Sequence, residues 1–252
     1  MNSILSNSEQ GVLTLTLNRL EKKNALTADM YASLADALTH AQSNPDVRVV
    51  LLQGHETVFS AGNDIADFLQ QPPANSDSPV SRFLHGIAVF PKPLLASVCG
   101  PAVGVGTTML FHCDLVYAGD NAAFSMPFVN LGLCPEAASS LLAVKLMGYQ
   151  RAAEALLMGE PFLAETALEL GLINRVLPPT EVNAYAQHQA QKLARKPLSS
   201  LMQTKRLMKS HLSADVLKQM QEEATVFARM LKEPAAVEAF SAFMEKRQPS
   251  FS

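Results

Sequence analysis

Leu and Thr alternate between Val12 and Leu17, and this period of two predicts a strand. From Thr27 the period lengthens to that of a helix. Met30, Leu34, Ala37, Leu38 and Ala41 fall on one face, and Thr27 can cap a helix running to about Ser43. Val47 to Gln53 is a short β-branched run closed by Gly54, the pattern of a buried strand. Val58 to Asp64 is a turn-forming loop ahead of another short helix. Gln70 to Pro79, with Pro72, Pro73 and Pro79 among Asn, Ser and Asp, is the most loop-like segment and is expected to be mobile at the surface. Arg82 to Val89 is expected to be helical, ended by Pro91-Lys92-Pro93. Leu94–Val98 predicts a strand, Gly100–Gly106 a turn, Thr107–Cys113 an apolar helix, and Asp114–Ala118 and Ala123–Ser125 two further strands. Strand, turn and helix thus recur through the first two thirds, which is α/β organisation with roughly parallel strands. Beyond Glu136 the pattern is almost wholly helical: Ala137–Met147, Arg151–Met158, Ala164–Leu170, Glu181–Ala194, Leu198–Lys209, Ala214–Leu231 and Ala235–Lys246. Ile173–Leu177 is the one strand-like exception.

Composition narrows the class. With 252 residues, 48% of them hydrophobic, the chain can bury a sizeable core. A net charge of -3 and the lack of a basic run speak against nucleic acid as a partner. Cys99, Cys113 and Cys134 are odd in number and lack paired spacing, which points to a reducing compartment without disulfides or a zinc framework. The six histidines show no metal-binding spacing. No signal peptide, membrane-length apolar run or Ser-Lys-Leu ending is present, so a cytoplasmic protein without a membrane or metal is expected.

Three stretches carry candidate chemistry. In Leu133-Cys134-Pro135-Glu136-Ala137-Ala138-Ser139-Ser140 a single carboxylate stands among apolar residues at an apparent helix mouth, with Pro135 just inside the helix. The helix dipole favours its charged form and the apolar neighbours its neutral form. A carboxylate so balanced can take a proton and return it. On this stretch alone the plainer reading leads: a first-turn Glu stabilising its helix by about 0.3–1 kcal/mol. Phe59-Ser60-Ala61-Gly62-Asn63-Asp64 and Gly100-Pro101-Ala102-Val103-Gly104-Val105-Gly106 are glycine turns that expose main-chain N–H groups. Facing each other they could form an oxyanion hole; singly, each is more simply a strand-to-helix turn. The second is neither a dinucleotide loop nor a Walker loop, because Met109 stands where a third glycine would fall and Gly-Lys-Ser/Thr is missing. No Gly-x-Ser-x-Gly elbow occurs.

Together these motifs resemble the crotonase (enoyl-CoA hydratase/isomerase) superfamily. The resemblance is carried by Phe59–Ile65, by Lys92-Pro93-Leu94-Leu95-Ala96 through Gly104, and by Asp114–Ala118. It runs from the first strand, through Asn24-Ala25-Leu26, to Ala242–Arg247. It implies a ββα spiral core over residues 1–195 and a helical C-terminal trimerisation region over 196–252, in one continuous domain. The implied ligand is an acyl-CoA thioester, with coenzyme A part of the substrate and no separate cofactor. Its thioester oxygen would lie between the main-chain N–H groups of Asn63 and Val105. The implied substrate contacts are Ala61, Gly62, Asp64 and Ile65 near the adenine, Phe128 and Leu133, which would keep the pocket dry, and Gly104 and Phe243 elsewhere along the acyl-CoA. Lys22 or Lys23, and Lys246 from the C-terminal helix, would meet the CoA phosphates. The implied assembly is a homotrimer or dimer of trimers.

The departures from the family pattern choose the reaction. Hydratases of this superfamily hold water between two glutamates, at positions where this chain has Thr108 and Phe128. Pro135-Glu136-Ala137-Ala138-Ser139-Ser140 instead resembles the Pro-Glu-Gly-x-Ser-Ser motif of Δ3,Δ2-enoyl-CoA isomerases of the peroxisomal type, with Ala for Gly. That resemblance makes Glu136 the base of a C2-to-C4 proton transfer. The alternatives are another crotonase-type reaction, such as hydration or thioester hydrolysis, and a non-catalytic acyl-CoA-binding protein.

Overall fold

The apolar runs of the sequence become the inner strands of a sheet. The structure is a computed structural model and describes residues 2–71 and 76–251. Six strands, β1 (Ile4–Glu9), β2 (Val12–Leu17), β3 (Val49–Gln53), β4 (Leu94–Val98), β6 (Leu115–Gly119) and β9 (Arg175–Leu177), form one sheet in the order β1-β2-β3-β4-β6-β9. Only β1 runs antiparallel to its neighbour. A second sheet joins β5 (Pro101–Val103), β7 (Ala123–Ser125) and β8 (Phe162–Leu163) in the order β5-β7-β8.

A parallel sheet buries both faces, and this one does. On one face α1 (Ala28–Ser43) and α3 (Pro79–Val89) supply Met30, Leu34, Leu38, Phe83 and Ile87 against Leu13, Leu15, Val50 and Leu52. On the other, Val182, Ala186, Ala190 and Ala194 of α8 (Pro179–Ala194) lie against Val12, Val49, Leu51 and Leu95. The α1 helix starts as its cap predicts, with Thr27 Oγ1 accepting from Met30 N–H. It ends where the buried Lys92 ammonium donates to the carbonyls of Ala41, Asn44 and Val47. Between β8 and β9 lies α7 (Ala164–Glu169), and the chain finishes in α9 (Leu198–Lys209), α10 (Ser213–Met230) and α11 (Pro234–Glu245).

Several expectations are corrected. β1 gave no alternating signal because only Ile4 of its six residues is buried. The Gly100–Gly106 turn contains β5. The helix expected over Thr107–Cys113 is a four-residue α4 (Val105–Thr108) followed by a 3-10 turn, Met109–His112. The helix expected over Arg151–Met158 divides into α6 (Tyr149–Ala153) and a π turn, Glu154–Met158. α2 (Ile65–Gln70) and α3 flank the proline-rich stretch, whose residues 72–75 lie outside the described residues.

Candidate active site

Two glycine-bearing segments meet first. Ser60 N–H donates to Pro101 O and Val103 N–H to Ser60 O, so the 58–64 strip and β5 pair as short parallel strands. Gly62, at φ +89°, comes so close that a Cβ there would stand 2.9 Å from Val103 O. A Cβ on Gly106 would stand 3.0 Å from Ser60 O. Glycine is therefore required at Gly62, and a side chain at Gly106 would crowd the same approach.

The same pairing aims the amides. Leu26 N–H donates to Gly62 O and Asp64 N–H donates to Leu26 O, each at 2.8 Å. Alternation along an extended strand then turns the Asn63 N–H away from Leu26. Across the strip, Gly104 adopts φ +55°, ψ -118°, which aims the first amide of α4, that of Val105, out of the helix. Among the described residues neither the Asn63 nor the Val105 N–H donates to a protein acceptor. A Cβ on Gly104 would meet nothing within 4 Å, so space lies open before them. Two free main-chain donors beside a gap can receive an oxygen that gains negative charge.

Neighbouring residues hold this strip. Buried Asn24 accepts from Arg19 N–H and donates to Phe59 O, and Ser60 Oγ donates to Asn24 O. Ala61 N–H donates to Lys23 O, which sets the exposed Lys22 and Lys23 beside the strip. The Asp64 carboxylate is committed to capping α2 through Ala66 and Asp67 N–H and to an ion pair with Arg19 at 2.8 Å. Burial pushes the Asp64 carboxyl up, but these bonds outweigh it and leave it below the ordinary range.

The carboxylate of Glu136 arrives on a different kind of support. The expected helix start is corrected: α5 (Ser139–Met147) begins three residues after Glu136, and Pro135 lies outside it. Between them Ala137 (φ +59°) and Ala138 (φ +56°) both adopt the left-handed conformation, at about 1–2 kcal/mol each for a residue with a Cβ. Side chains from afar hold this turn. His112 Nε2 donates to Ala137 O at 2.8 Å, which fixes its tautomer because a carbonyl only accepts. Burial depresses the His112 pKa to about 4, so the ring is neutral at pH 7. From α10, Glu223 accepts from Ala138 N–H at 2.6 Å, Ser140 N–H at 3.0 Å and the Ser140 hydroxyl.

The carboxylate at the mouth of α5 is therefore Glu223, not Glu136. The helical period over 214–231 places Val216, Met220, Ala224 and Phe227 on one apolar face, expected to meet another subunit, and so passes over Glu223. Ala224 is exposed and Glu223 is buried in its place. Its signal is positional: Val216, Met220, Glu223 and Phe227 keep the 3.6-residue period with an acid on the apolar side.

Freed from capping, Glu136 turns one carboxyl oxygen inward, the residue as a whole being half-buried. Its Oε1 is shielded from solvent and has no hydrogen-bond partner. Burial raises the Glu136 pKa, and the field of Glu223 adds to it, bringing it to about 8. Phe128 and Leu133 are buried in one apolar cluster with Phe68, Met126, Phe227 and Phe240, and Leu133 N–H donates to Phe128 O. Thr108 is also fully buried, with an unpartnered hydroxyl.

Phe243, 59% exposed, and the exposed Lys246 lie at the end of α11; no hydrogen bond or ion pair among the described residues ties either side chain to the Asn63–Val105 strip. The described residues contain no group of three or more His, Cys, Asp or Glu able to hold a metal ion. No helix among them is long and apolar enough to cross a membrane.

The geometry agrees with the relatives of the chain. A family model described as enoyl-CoA hydratase/isomerase matches residues 7–252. Enoyl-CoA delta isomerase 2 of Rattus norvegicus is 36% identical over 97% of this chain and 64% of its own length, so the chain spans less than two thirds of that protein. The 2,3-dehydroadipyl-CoA hydratase of Escherichia coli K12 is 30% identical over 100% of this chain and 99% of its own. The crystal structure of an enoyl-CoA hydratase/isomerase from Pseudoalteromonas atlantica T6c superposes with a TM-score of 0.95 at 39% identity, over 100% of both chains. Strip, buried acid and near-complete match lead to one statement: this chain belongs to the enoyl-CoA hydratase/isomerase family and has the crotonase fold.

Proposed function

We propose that the protein is a Δ3,Δ2-enoyl-CoA isomerase that moves a C=C bond along an acyl-CoA thioester in fatty-acid or related acyl-CoA metabolism. The observation that carries this reading is Glu136 Oε1, shielded and unpartnered, three residues after Leu133 of the apolar cluster. A buried acid without a partner is costly unless a ligand supplies one. The thioester oxygen accepts from the Asn63 and Val105 amides. Glu136, ionised, takes a proton from C2; the C–H electrons delocalise through C3=C4 and onto the thioester oxygen, giving a dienolate. The now neutral Glu136 returns the proton to C4, and the double bond is left between C2 and C3. A base with pKa about 8 draws a carbon-bound proton better than an ordinary carboxylate does. Below that pH the free enzyme holds Glu136 neutral, so kcat/KM rises with pH up to about 8 and then levels.

Hydration is the second reading, favoured by the E. coli hydratase among the relatives. Activating water between two carboxylates needs a second free acid. Thr108 and Phe128 provide none, and Glu223 is saturated by Ala138 and Ser140. Phe128 and Leu133 also favour a dry pocket. The assay is conversion of 3-hexenoyl-CoA to 2-hexenoyl-CoA, beside hydration of 2-hexenoyl-CoA, by wild type and Glu136→Gln. Fast isomerisation, lost about 10²–10⁴-fold in the variant, supports the reading. An unchanged isomerisation rate in the variant, or dominant hydration, overturns it.

The assembly proposed is a homotrimer or dimer of trimers. It is supported by exposed apolar side chains around α6, among them Tyr149 at 66%, Leu157 and Met158. A monomer by light scattering would contradict it. Three free thiols support a cytoplasmic setting.

A further inference from the structure

Tyr31 lies one turn into α1 and is fully buried, 1% exposed. Its ring packs on Phe83 with centroids 5.6 Å apart, a contact that phenylalanine would make equally well. The hydroxyl needs a separate reason, because burying one without a partner is destabilising. Its partner is Asn63 Oδ1 at 2.5 Å. The link joins α1 to the one residue of the 58–64 strip whose N–H is turned away from Leu26 and left free. After burial, Glu136 is the group that most raises the Tyr31 pKa, so the phenol also lies within the field of the buried acid. Asn63 is half-buried, and its main chain is held on one side, where Leu26 bonds Gly62 O and Asp64 N–H; the Tyr31 hydroxyl holds the residue through its side chain as well.

We infer that Tyr31 is a positioning residue: by holding the Asn63 carboxamide, its hydroxyl sets the direction of the Asn63 main-chain N–H toward the thioester oxygen. The inference rests on the acyl-CoA reading of the site. It adds a side-chain tether, carried by α1, to a hole otherwise built from main chain. The Asn63 side chain becomes part of the electrostatic machinery although it need not touch substrate.

The test reads the hole itself as well as turnover. Butanoyl-CoA labelled with ¹³C at the thioester carbonyl has no double bond to move, so its carbonyl shift on binding reports polarisation by the two amides. Wild type should shift this resonance downfield. Tyr31→Phe should bind with KM or Kd within about threefold, lose most of the shift, and lower kcat for 3-hexenoyl-CoA about 10–100-fold, the order expected for a small misplacement at the reacting centre. Asn63→Ala keeps both amides and removes the tethered oxygen, so it should reproduce both effects. The double variant should be no worse than Asn63→Ala alone, because the tyrosine acts through that side chain. If Tyr31→Phe fails to fold, Asn63→Ala decides by itself. Wild-type polarisation in either single variant, or additive losses in the double, overturns the assignment; so does an unpolarised carbonyl in wild type. Polarisation that is lost in Tyr31→Phe, in an enzyme that does not convert 3-hexenoyl-CoA, would leave the assignment standing and sink the isomerase reading.

Discussion

The two halves of the site are built by opposite means. The amide half is main chain on main chain: Ser60 paired with β5, Leu26 bridged to Asn63, and Gly62 and Gly106 cut down to let the strands approach. The acid half is a left-handed Ala137-Ala138 turn, held by side chains from His112 and from Glu223, the latter 85 residues along the chain. The first rests on main-chain pairing braced by the side chains of Asn24, Ser60 and Tyr31, and tolerates no extra atom at Gly62. The second carries backbone strain and a buried acid, and depends on long-range bonds to keep both. An amide donor must be fixed to stabilise charge, whereas a proton carrier needs a destabilised charge, and each support suits its task.

The contrast breaks most sharply at Gly62. Gly62→Ala puts a methyl group 2.9 Å from Val103 O at φ +89°, so the strips must part. Losing one donor of such a hole costs about 10²–10³-fold in kcat, and steady-state kinetics with 3-hexenoyl-CoA should show it.

On the acid side the largest effect is on stability. The Glu136 pKa is raised in the folded protein to about 8 from an ordinary 4.5, so between these values the folded state holds a proton that the unfolded state has released. Stability from this group is full below pH 4.5 and is lost as pH rises through 8. Glu136→Gln should therefore match wild type near pH 4.5 and exceed it by up to about 5 kcal/mol at pH 9, at roughly 1.4 kcal/mol per unit. Urea titrations at the two pH values would read the gap. An equal difference at both would contradict the buried-acid account.

Glu223→Gln tests the support. Glutamine offers one acceptor oxygen where the carboxylate uses two against Ala138 and Ser140, so about 1–3 kcal/mol of stability should be lost. Removing the neighbouring charge should also move the alkaline-rising limb of kcat/KM to lower pH. The smallest effect is expected from Ala137→Gly. Relief at φ +59° should stabilise by about 1 kcal/mol in thermal melts, with turnover little changed.

The same division explains what the sequence revealed. Period-two and helical patterns located β2, α1 and β4, and the glycines marked the amide strip, because those features rest on local rules. Glu136 was legible through its motif. Its surroundings were not: alanine favours helix, so nothing local says that Ala137 and Ala138 turn left-handed. That conformation exists only once His112 and Glu223 have arrived. The one-residue error on α10, Ala224 for Glu223, concealed the clamp. Tyr31 falls within the expected helix but outside its expected apolar face, and its bond to Asn63, 32 residues on, has no local signal.

The central claim is that Glu136 itself carries the proton from C2 to C4. The direct measurement uses 3-hexenoyl-CoA doubly deuterated at C2, converted in ordinary water, with the product analysed by NMR for label at C4. A shielded carrier with no partner at Oε1 should deliver part of the deuterium to C4 before it exchanges, and Glu136→Gln should abolish both the transfer and the turnover. A wild-type product whose new C4 hydrogen comes wholly from solvent, formed at the same rate by the variant, would contradict it.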